Sequence, residues 1–231
     1  MRMNVLRTTT FALSLGCIAG FARAGGVSAK FDFSNLKAGA QTGSVSQTID
    51  GVTVTAQSYF TKGGTEQLYY KTSGGDETGL GVNNSNTSYE LSLTKTGRGE
   101  HKTTSPKDFI QFDVSRLIGK AKGLSIAMGS VTGGEQWDVY EGNTSGKLGT
   151  EISPPSPSNS NGTLVNINWD GTSKYIDVSV NKNDGDPAAN LLFNSINASL
   201  TPEPGTLAML GSAAVLGVGY VLRRAKARLQ N

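Results

Sequence analysis

Few residues of this chain are equipped for chemistry. His101 is the single histidine and Cys17 the single cysteine of 231 residues. A serine hydrolase needs an imidazole oriented by a carboxylate and facing a nucleophile. Glu100 stands beside His101, but no Gly-x-Ser-x-Gly elbow accompanies the pair, so His101 is expected as an exposed loop residue. A zinc site of histidines and cysteines lacks ligands. Glycoside hydrolysis would need two carboxylates about 5–9.5 Å apart. Glu66, Asp76, Glu77, Glu90, Glu135, Asp138 and Asp177 are available, yet nothing in their spacing pairs them, and they are expected as solvated acids of strand faces and loops. The chain is therefore expected not to be an enzyme, and no catalytic residue is assigned.

Binding chemistry has more material. Hard oxygen donors suit calcium and are grouped in Asn181-Lys-Asn-Asp-Gly-Asp186 and in Asp76-Glu77 beside Gly79-Leu-Gly81. The EF-hand register fails in the first loop, because Val180 and Lys182 fall at ligand positions. Turn chemistry accounts for both loops without an ion, so no cofactor and no metal is expected, with structural calcium the one ion the loops suit. Sugar recognition would need aromatic rings on an open face. Trp137 and Trp169 share the apolar phase of their strands and are expected in the core, whereas Tyr140 and Tyr175 fall on the opposite phase and are the candidates for glycan contact.

The elements that must position these residues read as strands. Apolar side chains alternate with polar ones in Val52-Val54-Ala56, Tyr89-Leu91-Leu93, Ile110-Phe112-Val114, Leu124-Ile126-Met128, Trp137-Val139, Val165-Ile167-Trp169, Ile176-Val178-Val180 and Ile196-Ala198-Leu200. A period of two places one set in a core and the other in water. Turn signals separate the runs, among them Asp50-Gly51, Lys62-Gly-Gly64, Glu141-Gly-Asn143 and Asp170-Gly171. About ten strands are expected, in an all-β, antiparallel two-sheet sandwich of jelly-roll type; an immunoglobulin-like sandwich is the alternative. Residues 113–119 are expected to make a helical turn at a corner, and the Pro-rich stretch from Ser153 to Gly162 an exposed loop.

The two ends differ from the body. Arg2 and Arg7 precede an apolar stretch from Phe11 to Phe21, and Ala22-Arg-Ala24 supplies a small-x-small cleavage site, so residues 1–24 read as a secretory signal peptide. Residues 25–201 are expected as one exported domain, with 14 Lys and Arg against 17 Asp and Glu, a formal charge of −3. With its bases scattered among acids, that domain offers no nucleic-acid patch. Residues 202–231 begin with Pro202-Glu203-Pro204, continue in an apolar run from Leu207 to Leu222, and end in the basic cluster Arg223, Arg224, Lys226 and Arg228. That run is expected as a single C-terminal transmembrane helix, 207–222. Sixteen residues make about 24 Å of helix, short of a ~30 Å hydrocarbon core; Arg223 and Arg224 can snorkel to the cytoplasmic headgroups. The positive-inside rule leaves the body outside.

This tail resembles the PEP-CTERM sorting signal of Gram-negative bacteria, a short domain also catalogued as the ice-binding protein C-terminal domain. The resemblance covers residues 201 to about 226 and departs from the usual pattern in having Thr201 where Val is common. It implies recognition by an exosortase, a membrane transpeptidase-like enzyme that cleaves near Pro-Glu-Pro, and hence export across the inner membrane and transient anchoring there. It also implies a final place at the cell surface or in the extracellular matrix, among exopolysaccharide and biofilm. The body looks like the sandwich ectodomains of this family at Gly79-Leu-Gly-Val82, Asp108-Phe-Ile-Gln-Phe-Asp113 and Trp137-Asp-Val-Tyr140.

Overall fold

A computed structural model describes residues 27–41, 43–72, 77–83, 89–96, 103–131, 135–152, 161–181 and 191–201. The signal peptide, the Pro-rich stretch 153–160, His101 and the whole of 202–231 lie outside the described residues. What is described is all-β, with a single 3-10 turn at Ser115–Leu117.

Two antiparallel sheets carry the fold. The first runs in the order β14 (Val165–Ile167), β11 (Ala121–Gly129), β16 (Leu192–Leu200), β7 (Thr78–Val82), β6 (Leu68–Thr72) and β2 (Gly39–Ala40), and β1 (Val27–Asp32) also pairs with β16. The second runs β13 (Thr150–Glu151), β12 (Trp137–Gly142), β15 (Tyr175–Val180), β10 (Asp108–Asp113), β4 (Val52–Phe60) and β3 (Val45–Ile49), with the short β5 (Thr65–Glu66) on β4. A separate ribbon joins β8 (Leu93–Thr96) to β9 (Thr103–Pro106). These sixteen strands among the described residues exceed the ten expected, because β5, β6, β7 and the N-terminal strands carry too few alternating residues to stand out.

Local chemistry sets the pairings. Asp50 (φ 49°) and Gly51 (φ 74°) supply the two left-handed residues of a tight hairpin turn, which fixes Ile49 opposite Val52 in the β3–β4 ladder. At the expected corner, the Asp113 Oδ1 accepts the Ser115 N–H at 3.0 Å as the 3-10 turn begins. In the first sheet, Ala127 faces Ser195 but Met128 faces Phe193, so Asn194 is the extra residue of a bulge in β16.

The inner faces meet in one core. Phe31, Leu80, Ile126, Ile196 and Ala198 from the first sheet and Val54, Ile110, Phe112, Ile176 and Val178 from the second belong to one buried cluster. Phe193 of β16 and Phe112 of β10 touch across the sheets with ring centroids 4.2 Å apart, and Phe33 wedges against both at 5.9 and 5.6 Å. Trp137 is in the core as expected, whereas Trp169 packs against it only in part.

Strand β4 is half-buried as its alternation predicts, with Val52, Val54 and Ala56 buried and Thr53, Thr55 and Gln57 partly exposed. Strands β10, β12 and β15 are not: most of their residues are buried on both faces. The expectation that every polar phase meets water fails for these three, and the reason lies in what covers the second sheet from outside.

Truncating the ring at the centre of the core should cost about 3–5 kcal/mol. We expect Phe112→Ala to lower the urea midpoint correspondingly with little change in slope; a loss under about 1 kcal/mol would show that the ring cluster does not join the sheets.

Candidate functional site

The outer face of the second sheet is where the sequence places its candidate groups, and the ladder brings several together. Tyr140 of β12 lies opposite Asp177 of β15, and Asp177 lies opposite Gln111 of β10. The segment 143–149, between β12 and β13, lies over this row. Gln111 Oε1 accepts the Gly146 N–H at 2.8 Å, and Gln111 Nε2 donates to Asp177 Oδ1 at 2.8 Å. Asp177 Oδ2 accepts the Gly149 N–H at 2.8 Å, and the Tyr59 hydroxyl meets Ser145 Oγ at 3.1 Å.

Two glycines make this cover fit. Gly146 has φ +73° and rests on the Tyr59 ring, which would lie 3.0 Å from an added Cβ. At Gly149 an added Cβ would collide with the Glu141 carbonyl, so only glycine brings its N–H to Asp177. The polar side chains of Gln111 and Asp177 therefore serve as partners for loop backbone that would otherwise be buried unsatisfied.

The acids do not lie where the sequence places them. Glu66, Glu90, Glu135, Asp138 and Asp177 are buried, against the expectation of solvated carboxylates, while Glu77 is exposed and ion-paired with Lys71 at 3.0 Å; Asp76 lies outside the described residues. The cause is visible partner by partner. Lys71 also reaches Glu90 at 2.7 Å, and Asp138 takes Asn181 Nδ2 at 2.6 Å and the Tyr140 hydroxyl at 3.3 Å. Asn181 thereby faces Asp138, and the rest of the oxygen-rich loop, 182–186, lies outside the described residues.

Tyr140 is a correction to the sequence reading. Its ring is buried, and its phenol is pushed well above the ordinary range by burial first and by the neighbouring Asp138 charge second. Polar phase alone misled, because this phase of the sheet is itself buried: the Tyr140 hydroxyl reaches Asp138, and its neighbour Asp177 is capped by Gly149. Tyr175 stays half-exposed opposite Gly142 and Asp113. It leads out of the Asp170-Gly171 turn, where hydrogen bonds from Thr172 and Ser173 hold the Asp170 carboxyl down at about 2. Elsewhere Tyr69 and Tyr89 stack on each other at 3.9 Å, each covering one face of its partner.

Asp138 and Asp177 share one face of adjacent strands, with Tyr140 between them. Burial pushes the Asp177 carboxyl up to about 7, against the lowering effect of the Gln111 and Gly149 hydrogen bonds. That value suits a general acid. The geometry does not, since both oxygens are engaged and neither residue is exposed to a substrate. The arrangement holds a loop to a sheet. No protein-family model matches the chain, and neither does any curated protein or solved structure.

Asp177 makes stability depend on pH. Its folded value of about 7 exceeds the unfolded value near 3.9, so the folded state binds the extra proton and the contribution is complete below about pH 4. It is lost as pH rises through 7. Urea titrations at several pH values should show stability falling over this window, and Asp177→Asn should flatten the fall. An equal slope in the variant removes Asp177 as its source.

Proposed function

We propose that this chain is a non-enzymatic, exported protein of the cell surface or extracellular matrix, delivered by an exosortase acting on its C-terminal segment and working within exopolysaccharide or biofilm. One observation carries the reading: Pro202-Glu203-Pro204, an apolar run and the basic cluster Arg223, Arg224, Lys226 and Arg228 follow in that order directly after Thr201. The strand arrangement suits it. Among the described residues the first strand, from Val27, and the last, to Leu200, both fall within 25–201. On this reading residues 25–201 are the lasting product, a jelly-roll-like sandwich, and both end segments are processing signals. Inner membrane and exosortase are transient partners; polysaccharide is the lasting neighbour.

Carbohydrate binding is the second reading, and half-exposed Tyr175 favours it. Beside glycine 142 its ring has no side chain opposite on β12 to cover it, and an aromatic face of this kind can stack on a sugar ring.

Deleting Pro202–Pro204, or replacing Glu203 with Ala, should leave the uncleaved chain in the inner membrane, as read by fractionation and immunoblotting. Normal release of either variant sinks the sorting proposal. For the second reading, retention of the chain on the producing organism's own polysaccharide should be lost in Tyr175→Ala while the Tm is unchanged. No retention of the unmutated chain on neutral or anionic polymers leaves the first reading alone.

A further inference from the structure

Glu66 is a carboxylate that the fold leaves without a hydrogen-bond partner. It sits on β5 directly opposite Ser58 of β4, with 8% of its surface exposed, and neither of its carboxylate oxygens accepts a hydrogen bond. The Ser58 hydroxyl is fully buried and equally unpartnered. Opposed residues of neighbouring strands hold their Cβ atoms about 4.5–5.5 Å apart, so these two side chains stand side by side on one face without bonding to each other. Asp108 belongs to the same group. Ser58 lies opposite Ile110 on β10, and Asp108, two residues away, projects to the same face; its charge is felt at the Glu66 carboxyl.

The Asp108 side chain is anchored by Ser92, whose N–H reaches Oδ1 at 2.9 Å and whose hydroxyl reaches Oδ2 at 3.3 Å. Lys107 attracts Glu66 but donates no hydrogen bond to it. A carboxylate withdrawn from water is costly unless something replaces its hydration. Here the groups assembled are oxygens, two of them from carboxylates whose charges sum to that of one divalent ion. Calcium takes six to eight oxygen ligands, completing its shell with carbonyls and water.

We propose that Glu66, Asp108 and Ser58 form a calcium site that fastens the short strand β5 to β4 and β10. It is separate from the two loops in which the sequence concentrates oxygen donors, 76–81 and 181–186. Two carboxylates with a neutral hydroxyl place it in the weak range of extracellular modules, roughly 10⁻⁴–10⁻³ M. In a body without cysteine, such a site supplies a cross-link between strands by other means.

The test uses the full chain in detergent micelles, stripped with chelator. Equilibrium dialysis against radioactive calcium should find one ion fewer per chain in Glu66→Gln than in the unmutated protein. With calcium at about ten times the dissociation constant, Tm should rise by roughly 3–6 °C, less with magnesium, and that increment should vanish in Glu66→Gln. Should Glu66→Gln fail to fold, Ser58→Ala removes one neutral ligand and should move the calcium midpoint upward. Equal ion counts in the two chains, an unmutated protein whose Tm ignores calcium, or a midpoint unmoved in Ser58→Ala each overturns the assignment.

Discussion

The contact between Phe112 and Phe193 is the constraint on which the rest of this fold depends. Each ring projects from a strand in the interior of its own sheet, β10 in one and β16 in the other, and Phe33 closes the gap beside them. Residues 25–201 contain no cysteine, so no disulfide can limit the unfolded chain. Stability must come from burial, and sheets packed about 10 Å apart are filled efficiently by rings that interlock across the midplane. The pairing of outer strands depends on this centre. The edge strands β2, β13 and β14 are two or three residues long and need a sheet already in place.

The second sheet is asymmetric in how it meets its surroundings. Its inner face is apolar except at one end, where Ser58, Glu66 and Asp108 share the phase of Ile110, and its outer face holds Gln111, Asp177, Asp138 and Tyr140 out of water. Such a layer is tolerable only if each polar atom finds a partner. The 143–149 segment provides partners and receives them, since Gln111 satisfies Gly146 while Asp177 satisfies Gly149. One consequence is mechanical: a charge change at Asp177 acts on the loop directly through the Gly149 hydrogen bond and indirectly through Gln111, which holds Gly146. A second concerns Tyr175, which lies opposite Gly142 at the margin of this face and stays half-exposed.

How far the sequence reveals all this varies with the kind of information each element needs. Strand β4 is legible because Val52, Val54 and Ala56 mark its phase and Asp50-Gly51 its turn. The same arithmetic gives Tyr140 and Asp177 a shared outward phase correctly, but phase states direction and not what lies above. Asn143-Thr-Ser-Gly-Lys-Leu-Gly149 has the composition of an exposed loop, and its role emerges only once Gln111 and Asp177 are side by side. The hairpin of β6 and β7 is harder still. Thr78-Gly-Leu-Gly-Val82 resembles a turn, yet Gly81 is a strand residue whose missing side chain admits the Tyr89 carbonyl. Glu66 escapes because a two-residue strand shows no period.

The placement of the chain ends bears on the proposed anchoring. Val27 pairs with Leu200 and Asp32 with Ser195, so the first and last of the described strands lie side by side, with Val27 and Leu200 at the same end of the pair. The last strand is interior to its sheet, with β11 along one side and β1 and β7 along the other. Thr201 extends the hold by one residue, its N–H and hydroxyl both donating to the Lys120 carbonyl at 2.7 and 2.9 Å. A tether attached beyond Thr201 would therefore pull along β16, loading the ladders with β1 and β11 together rather than opening them bond by bond. An edge strand in that position would peel away. On the proposed reading, a domain held for a time by a short membrane segment and then cut free close to Pro202 benefits from this arrangement twice: the pull before cleavage meets the strongest part of the sheet, and cleavage beyond it removes no strand from the fold.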